Sequence, residues 1–313
     1  MRIVSLLPSA TDIVCALGLA DQLVGVTHSC DLPPGSAPRP VLTRTRVPRQ
    51  APSHEIDRFV RESARLGDAL YQVDDAFLAQ LEPDLILTQS LCAVCAVPET
   101  QALESAAALR GGAQVVSLTP YGLDDTLTAI RQVADATGAR EAGDRLIEEL
   151  AVRIERVAER SLRTLRRPRV VLLEWLDPPF ACGHWNPELV RLAGGFEVLG
   201  REGAPSRRVA LREVIAAKPD VVFVACCGCG VERSLSELPP LLETLERARC
   251  PATRTGRVYV ADGRRHFSRP GPLLADSLEL LAYALHPELH PLPAGVPPAV
   301  RVGCRREMAS GAA

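Results

Sequence analysis

Thiols and imidazoles gather in five stretches of this chain, each within about a dozen residues of the end of an apolar, β-type run, where α/β sheets collect ligand-binding groups. Leu23–Thr27 leads to His28-Ser29-Cys30-Asp31, Leu85–Thr88 to Cys92-Ala93-Val94-Cys95, and Val170–Glu174 to Cys182-Gly183-His184. Val221–Ala225 leads to Cys226-Cys227-Gly228-Cys229, and Val258–Ala261 to His266. Thiolate and neutral imidazole suit zinc, copper or iron. The Cys92/Cys95 spacing lets two thiolates meet one soft ion or close a redox disulfide, and two small buried hydrophobes on a loop are the plainer alternative. His28 and Cys30 face one side of an extended segment, with Asp31 as a further oxygen; a Cys-Asp-Leu-Pro-Pro turn is the alternative. A candidate metal set follows: His28, Cys30, Cys92, Cys95, Glu174 and His184. The Cys226 to Cys229 run reads as thiols packed at the end of a buried strand rather than as metal ligands.

Glu174 closes a strongly apolar strand, where a carboxylate is costly unless it is paired, liganded or facing a polar cleft. Beside it stand both tryptophans of the chain, Trp175 and Trp185, with Phe180 and His184 between them. In a chain with 4% aromatic residues, that concentration suits a platform for a planar or macrocyclic ligand. Packing of Trp175 and Phe180 in an apolar core is the alternative, and His184-Trp185, on a loop before a helix, reads as ligand contact. His266 and Phe267 precede Ser268-Arg269-Pro270-Gly271-Pro272, a stiff loop in which Arg269 either meets an acidic ligand group or caps a helix. Ser9 and Thr11 open a first helix whose free amides could face ligand oxygens, with N-capping an equal alternative.

These groups need a scaffold that brings distant loops together. Strand-like and helix-like segments alternate from Arg2, which argues for a sheet covered by helices. Residues 1–122 read as an N-terminal α/β lobe, with strands at Arg2–Leu6, Leu23–Thr27, Leu85–Thr88 and Gln114–Leu118. Residues 123–167 read as a helical region, including one helix of about 25 residues, nearly 40 Å at 1.5 Å per residue, ended by Pro168. Residues 168–286 read as a C-terminal α/β lobe with strands at Arg169–Glu174, Val221–Ala225 and Arg257–Ala261, and with one helix over Ser234–Arg247. Residues 287–313, rich in proline and arginine, read as a loosely ordered tail. The expected fold is therefore α/β, two Rossmann-like lobes joined by one long backbone helix, with a ligand cleft between them.

The 313 residues carry a net charge of -2 with both signs interspersed, which argues against nucleic acid or an anionic membrane as partner. No apolar run reaches the roughly 20 residues of a bilayer span. Ten cysteines at irregular spacing read as reduced thiols, and Pro8, Ser9 and Asp12 interrupt the apolar start, so a cytoplasmic location is expected.

The opening Ile-Val-Ser-Leu-Leu-Pro-Ser-Ala-Thr and the bilobal organisation resemble the class III, helical-backbone substrate-binding proteins for metal chelates. Within them the chain looks closest to a signal-less branch called cobalamin-binding proteins, over residues 1 to 286. The resemblance is carried by Gly25–Asp31, Thr88–Ala96, Glu174–Trp185 and Ser268–Pro272. It implies a non-catalytic receptor for a corrinoid such as cobalamin, or another small-molecule metal chelate. A histidine would stand at the metal's axial position, and ligand contacts would come from Ser9, Thr11, His28, Gln89, Glu174, Trp175, Phe180, His184, Trp185, His266, Phe267 and Arg269. The start of the chain departs from the transporter pattern, so a cytosolic trafficking or storage role is expected over docking to a permease. The rival expectation is a cytosolic metalloprotein or enzyme holding zinc, copper or iron through the metal set above. A thiol redox protein using Cys92 and Cys95 is a third.

Overall fold

Short β-rich runs bounded by glycine, proline and aspartate become strands, and the amphipathic stretches between them become helices, in a computed structural model that describes residues 1–91 and 97–303. In chain order the first elements are β1 Ile3–Ser5, α1 Pro8–Ala16, β2 Leu23–Gly25, β3 Thr43–Thr45, α2 Ser53–Leu66, β4 Tyr71–Val73 and α3 Asp75–Gln80. They are followed by β5 Leu85–Gln89, α4 Glu99–Ala107, β6 Gln114–Leu118, α5 Leu123–Thr137 and α6 Arg140–Ser161. Next come β7 Arg169–Leu176, β8 Pro179–Ala181, α7 Asn186–Leu192, β9 Phe196–Glu197, β10 Arg207–Arg208, α8 Leu211–Ala216 and β11 Val221–Val224. The remainder is α9 Val231–Glu237, α10 Pro239–Arg247, α11 Pro251–Arg254, β12 Val258–Val260, α12 Leu273–Leu285 and β13 Val300–Val302.

The chain divides into two compact units. The first comprises Met1–Ala51 and Glu55–Leu150. Its sheet is wholly parallel in the order β2-β1-β5-β6. Strands buried on both faces need near-continuous apolar sequence, which Leu85, Ile86 and Leu87 supply with no measurable exposure. Val4, Leu6, Leu42, Leu78 and Ile86 form one core cluster there. Parallel strands with helical crossovers bring every loop after a strand to one sheet end, so β1, β2 and β5 deliver their following residues together.

The second unit comprises Pro52–His54 and the chain from Ala151 on. Its sheet runs β10-β8-β7-β11-β12-β13, with β9 also on β7. The central β7, β11 and β12 are parallel, while β8 folds back on β7, and β13 on β12, in antiparallel fashion. Val171, Leu173, Val222, Val224, Leu245 and Val258 fill its core.

The helical region holds two helices, parted where Gly138 takes φ +71 and its N–H returns to Ala134 and Asp135 carbonyls, a left-handed stop; α6 is 22 residues long. Two expectations about elements are corrected. The helix expected over Ser234–Arg247 breaks between α9 and α10 at Pro239, which has no N–H to carry a helix through. The tail up to residue 303 is ordered rather than loose: His290 and Val296 are buried and Val300–Val302 pairs with β12. No described helix is long and apolar enough to cross a membrane.

Candidate ligand site

In the first unit, the chain leaves β1 through Leu6-Leu7 into α1 and leaves β2 through Val26, which bridges Val41, into Thr27–Asp31. Ser5, Thr11, Thr27 and Cys30 form one polar cluster at this end. Thr11 Oγ1 donates to Ser5 Oγ at 2.8 Å and lies 2.9 Å from Cys30 Sγ. Thr27 Oγ1 is 3.2 Å from the same sulfur. The Cys30 thiol thus sits between two hydroxyls, and Ser9 and Thr11, at 3% and 0% exposure, are part of the interior rather than a surface offered to ligand.

His28 is placed differently. Its backbone N–H donates to Thr43 Oγ1 at 3.2 Å, and its ring Nδ1 lies 2.7 Å from the same oxygen. Its ring stacks on Tyr71 with centroids 5.8 Å apart. When Nδ1–H donates to Thr43, a lone pair is left on Nε2, the arrangement by which an imidazole is oriented toward a metal centre. Nε2 is buried and has no hydrogen-bond partner. His28 lines a cavity of about 10 Å³, room for one water, together with Leu6, Pro8, Thr27, Thr43 and Tyr71. Burial, and then the Arg49 guanidinium, hold this imidazole below its usual range, so it is neutral at pH 7.

In the second unit, Glu174 near the end of β7 is held from three sides. Asn186 Nδ2 donates to Oε1 at 2.6 Å, the Gly183 N–H donates at 3.4 Å, and Ser206 Oγ donates to Oε2. Burial pushes its carboxyl above the ordinary range against the pull of these donors. Glu197 is a second such group, accepting from the N–H of Leu172, Leu199 and Gly200, with burial again raising it. His184 adopts φ +53, a left-handed conformation held by its N–H on Ala204 O and by Gly203 N–H on its own carbonyl. Burial lowers its imidazole as well.

The expected aromatic platform is divided. Trp175 pairs across from Phe180 in the β7–β8 ladder, and both remain half-buried, as does His184. The Trp175 indole N–H reaches the Asp177 and Ser53 carbonyls. Trp185 and Phe267, by contrast, are 5% and 1% exposed, and the Trp185 indole donates to Phe267 O at 2.7 Å. Both were expected as ligand contacts; here their large apolar area packs in the core, and the indole finds its acceptor there. His266 and Arg269 are each 4% exposed, with Arg269 Nε on Arg264 O, and Gln89 ends β5 buried.

The described members of the metal set are not gathered into one site. Among the described residues, no three His, Cys, Asp or Glu side chains gather so as to hold an ion. The Glu174 oxygens are already occupied by donors, and Cys92 and Cys95 lie outside the described residues. Sequence reasoning missed Thr43 and Tyr71, which orient His28, and Ser206, which holds Glu174. Nothing local marks them, since they lie 15, 43 and 32 residues from their partners; only Asn186, next to Trp185 at a helix start, carried a readable signal.

Solved structures share this fold. The periplasmic vitamin B12-binding protein BtuF of Vibrio cholerae is 20% identical with a TM-score of 0.66, over 91% of this chain and 96% of that one. The periplasmic heme-binding protein RhuT from Roseiflexus sp. RS-1 is 23% identical with a TM-score of 0.68, over 92% and 99%. Among curated relatives, a vitamin B12-binding protein of Vibrio cholerae is 24% identical over 228 residues, 72% of this chain and 70% of that protein. The family model described as periplasmic binding protein matches residues 3–264, and the chain belongs to that family. The family is described as one of periplasmic binding proteins, and the two solved structures above are periplasmic as well. The cytoplasmic expectation, drawn from the composition of the first residues and the absence of a disulfide-like cysteine pattern, is overturned by this membership.

Proposed function

We propose that the chain is a non-catalytic receptor for a corrinoid, with His28 as the group that meets the metal's axial position. The observation that carries this reading is the His28 ring: neutral, fixed through Nδ1 by Thr43, backed by Tyr71, and left with an unpartnered Nε2 at the ligand-collecting end of a parallel sheet. Within the second unit, Trp175, Phe180 and His184 are half-buried and offer aromatic surface of the kind that suits a macrocycle's apolar rim. The curated vitamin B12-binding relatives support the corrinoid as cargo. Among the described residues, no group of His, Cys, Asp or Glu side chains is assembled that would support the metalloenzyme alternative.

Titration of the purified chain with aquocobalamin tests the reading. A histidine displacing the cobalt-bound water changes the visible spectrum, and His28→Gln removes that change while wild type and variant melt at similar temperatures. Absence of binding at millimolar cobalamin overturns the proposal. Tight binding of hemin without binding of cobalamin overturns the choice of corrinoid.

A further inference from the structure

The ligand reading leaves the Cys226-Cys227-Gly228-Cys229 run unexplained. After β11 the chain makes a tight turn in which the Cys229 N–H donates to Cys226 O at 3.0 Å, with Gly228 at φ +70. A positive φ at the third residue and a bond from the fourth to the first define a β-turn whose outer Cα atoms lie within about 7 Å. Disulfides need Cα atoms roughly 4.4–6.8 Å apart. Both outer residues, Cys226 and Cys229, are buried at 3% and 5% exposure and belong to one apolar cluster with Val224 and Leu238. Charge on Cys229 raises the Cys226 thiol, an electrostatic effect that falls off with distance. The middle residue, Cys227, is instead half-buried, and its N–H is bound to Glu174 O.

We infer that Cys226 and Cys229 are a dithiol–disulfide couple, closed by exchange with a small disulfide in the oxidising compartment that the family occupies. In the exchange one thiol of the pair loses its proton to solvent and attacks a sulfur of the small disulfide. A thiolate leaves and is protonated, and the second thiol, also deprotonated, displaces the other half. Two protein thiols and one small disulfide become one protein disulfide and two small thiols. Closure staples a turn to which two neighbours are already tied, since Arg264 N–H donates to Cys229 O and Cys227 N–H to Glu174 O. In the folded, reduced chain the reaction is slow at neutral pH, because burial pushes Cys229 up to about 11 and Cys226 further still. During folding, before the thiols are covered, that obstacle is absent.

The full chain, refolded in a mixture of reduced and oxidised glutathione, alkylated and cut with trypsin, provides the test. Cleavage after Arg212 and Arg233 leaves all three thiols in one peptide. The expected peptide carries one alkyl group and lacks two hydrogens, and reduction before alkylation restores three alkyl groups. Cys227→Ser keeps the bridge and Cys229→Ser loses it. Three alkylated thiols under oxidising conditions, a bridge that needs Cys227, or stable glutathione adducts at Cys226 or Cys229 overturn the inference. With reduced folded protein and oxidised glutathione, the rate rises about tenfold per pH unit below about 11, since only the thiolate attacks. A rate independent of pH overturns attack by a thiolate of this buried pair.

Discussion

A neutral His28 held through one nitrogen makes ligand capture depend on pH in a defined direction. Protonation of Nε2 removes the lone pair, so affinity for aquocobalamin is constant above the lowered imidazole value and falls about tenfold per pH unit below it. Thr43→Val, which removes the oxygen beside Nδ1, weakens binding about tenfold, roughly 1.4 kcal/mol, by freeing the ring to turn. Spectral titration from about pH 7.5 to 5 measures the first effect, and an unchanged Kd sinks it. Glu174 is a structural counterpart. Glu174→Ala strands the Asn186, Ser206 and Gly183 donors in a site largely shielded from water and costs about 2–3 kcal/mol in urea denaturation. Its raised carboxyl binds a proton more tightly folded than unfolded, so that stabilisation is present in acid and is lost as pH rises through the folded value. Wild type therefore loses stability relative to Glu174→Gln on going from about pH 4 to pH 8. At this scale the sequence was legible only where chemistry was local: His28 stood out by type and position, while Thr43, Tyr71 and Ser206 are ordinary residues made important by tertiary contact.

One cation ties the second-unit part of α6 to α12. Arg153 donates Nε and a terminal nitrogen to Glu279 at 3.0 and 2.7 Å, and the same nitrogen to Asp276 at 2.6 Å, on α12. All three side chains are about two-thirds buried or more, so solvent screening is partial. Arg153→Met leaves two carboxylates facing each other and lowers stability by about 1–3 kcal/mol, an effect that salt reduces only modestly. Gly138→Ala, forced into φ +71, costs about 1 kcal/mol and lowers the melting temperature without altering far-ultraviolet dichroism. Strand and helix alternation was readable because buried parallel strands are continuously apolar and covering helices are striped. The breaks at Gly138 and Pro239 were present as letters, yet the apolar stripe continues past both and masks them. Trp185 shows the remaining limit: an aromatic residue in a loop carries no periodicity to say whether it faces solvent or core.

Across the whole molecule, the α/β architecture and the family were legible from four ordered stretches, whereas location was misjudged because composition does not encode the compartment. Ligand binding, present only in the folded state, stabilises it by about 2.7 kcal/mol at a hundredfold excess over Kd, so cobalamin raises the melting temperature in a concentration-dependent way. His266 and His290 are buried with imidazoles lowered chiefly by burial, and His290 Nε2 lies 3.2 Å from Ser161 Oγ. Their uncharged forms contribute stability that is present above the ordinary imidazole value and is lost as pH falls toward the lowered folded values. His290→Gln therefore flattens the decline in melting temperature between about pH 7 and 5, and a slope equal to wild type contradicts this. Finally, the last described strand has a protective consequence. Without Val300–Val302, the outer row of N–H and C=O groups on β12, a strand made for an interior, would stand bare as a template for any other extended chain. A version ending at Pro298 is then expected to keep its secondary structure yet scatter light at micromolar concentration where the full chain stays clear.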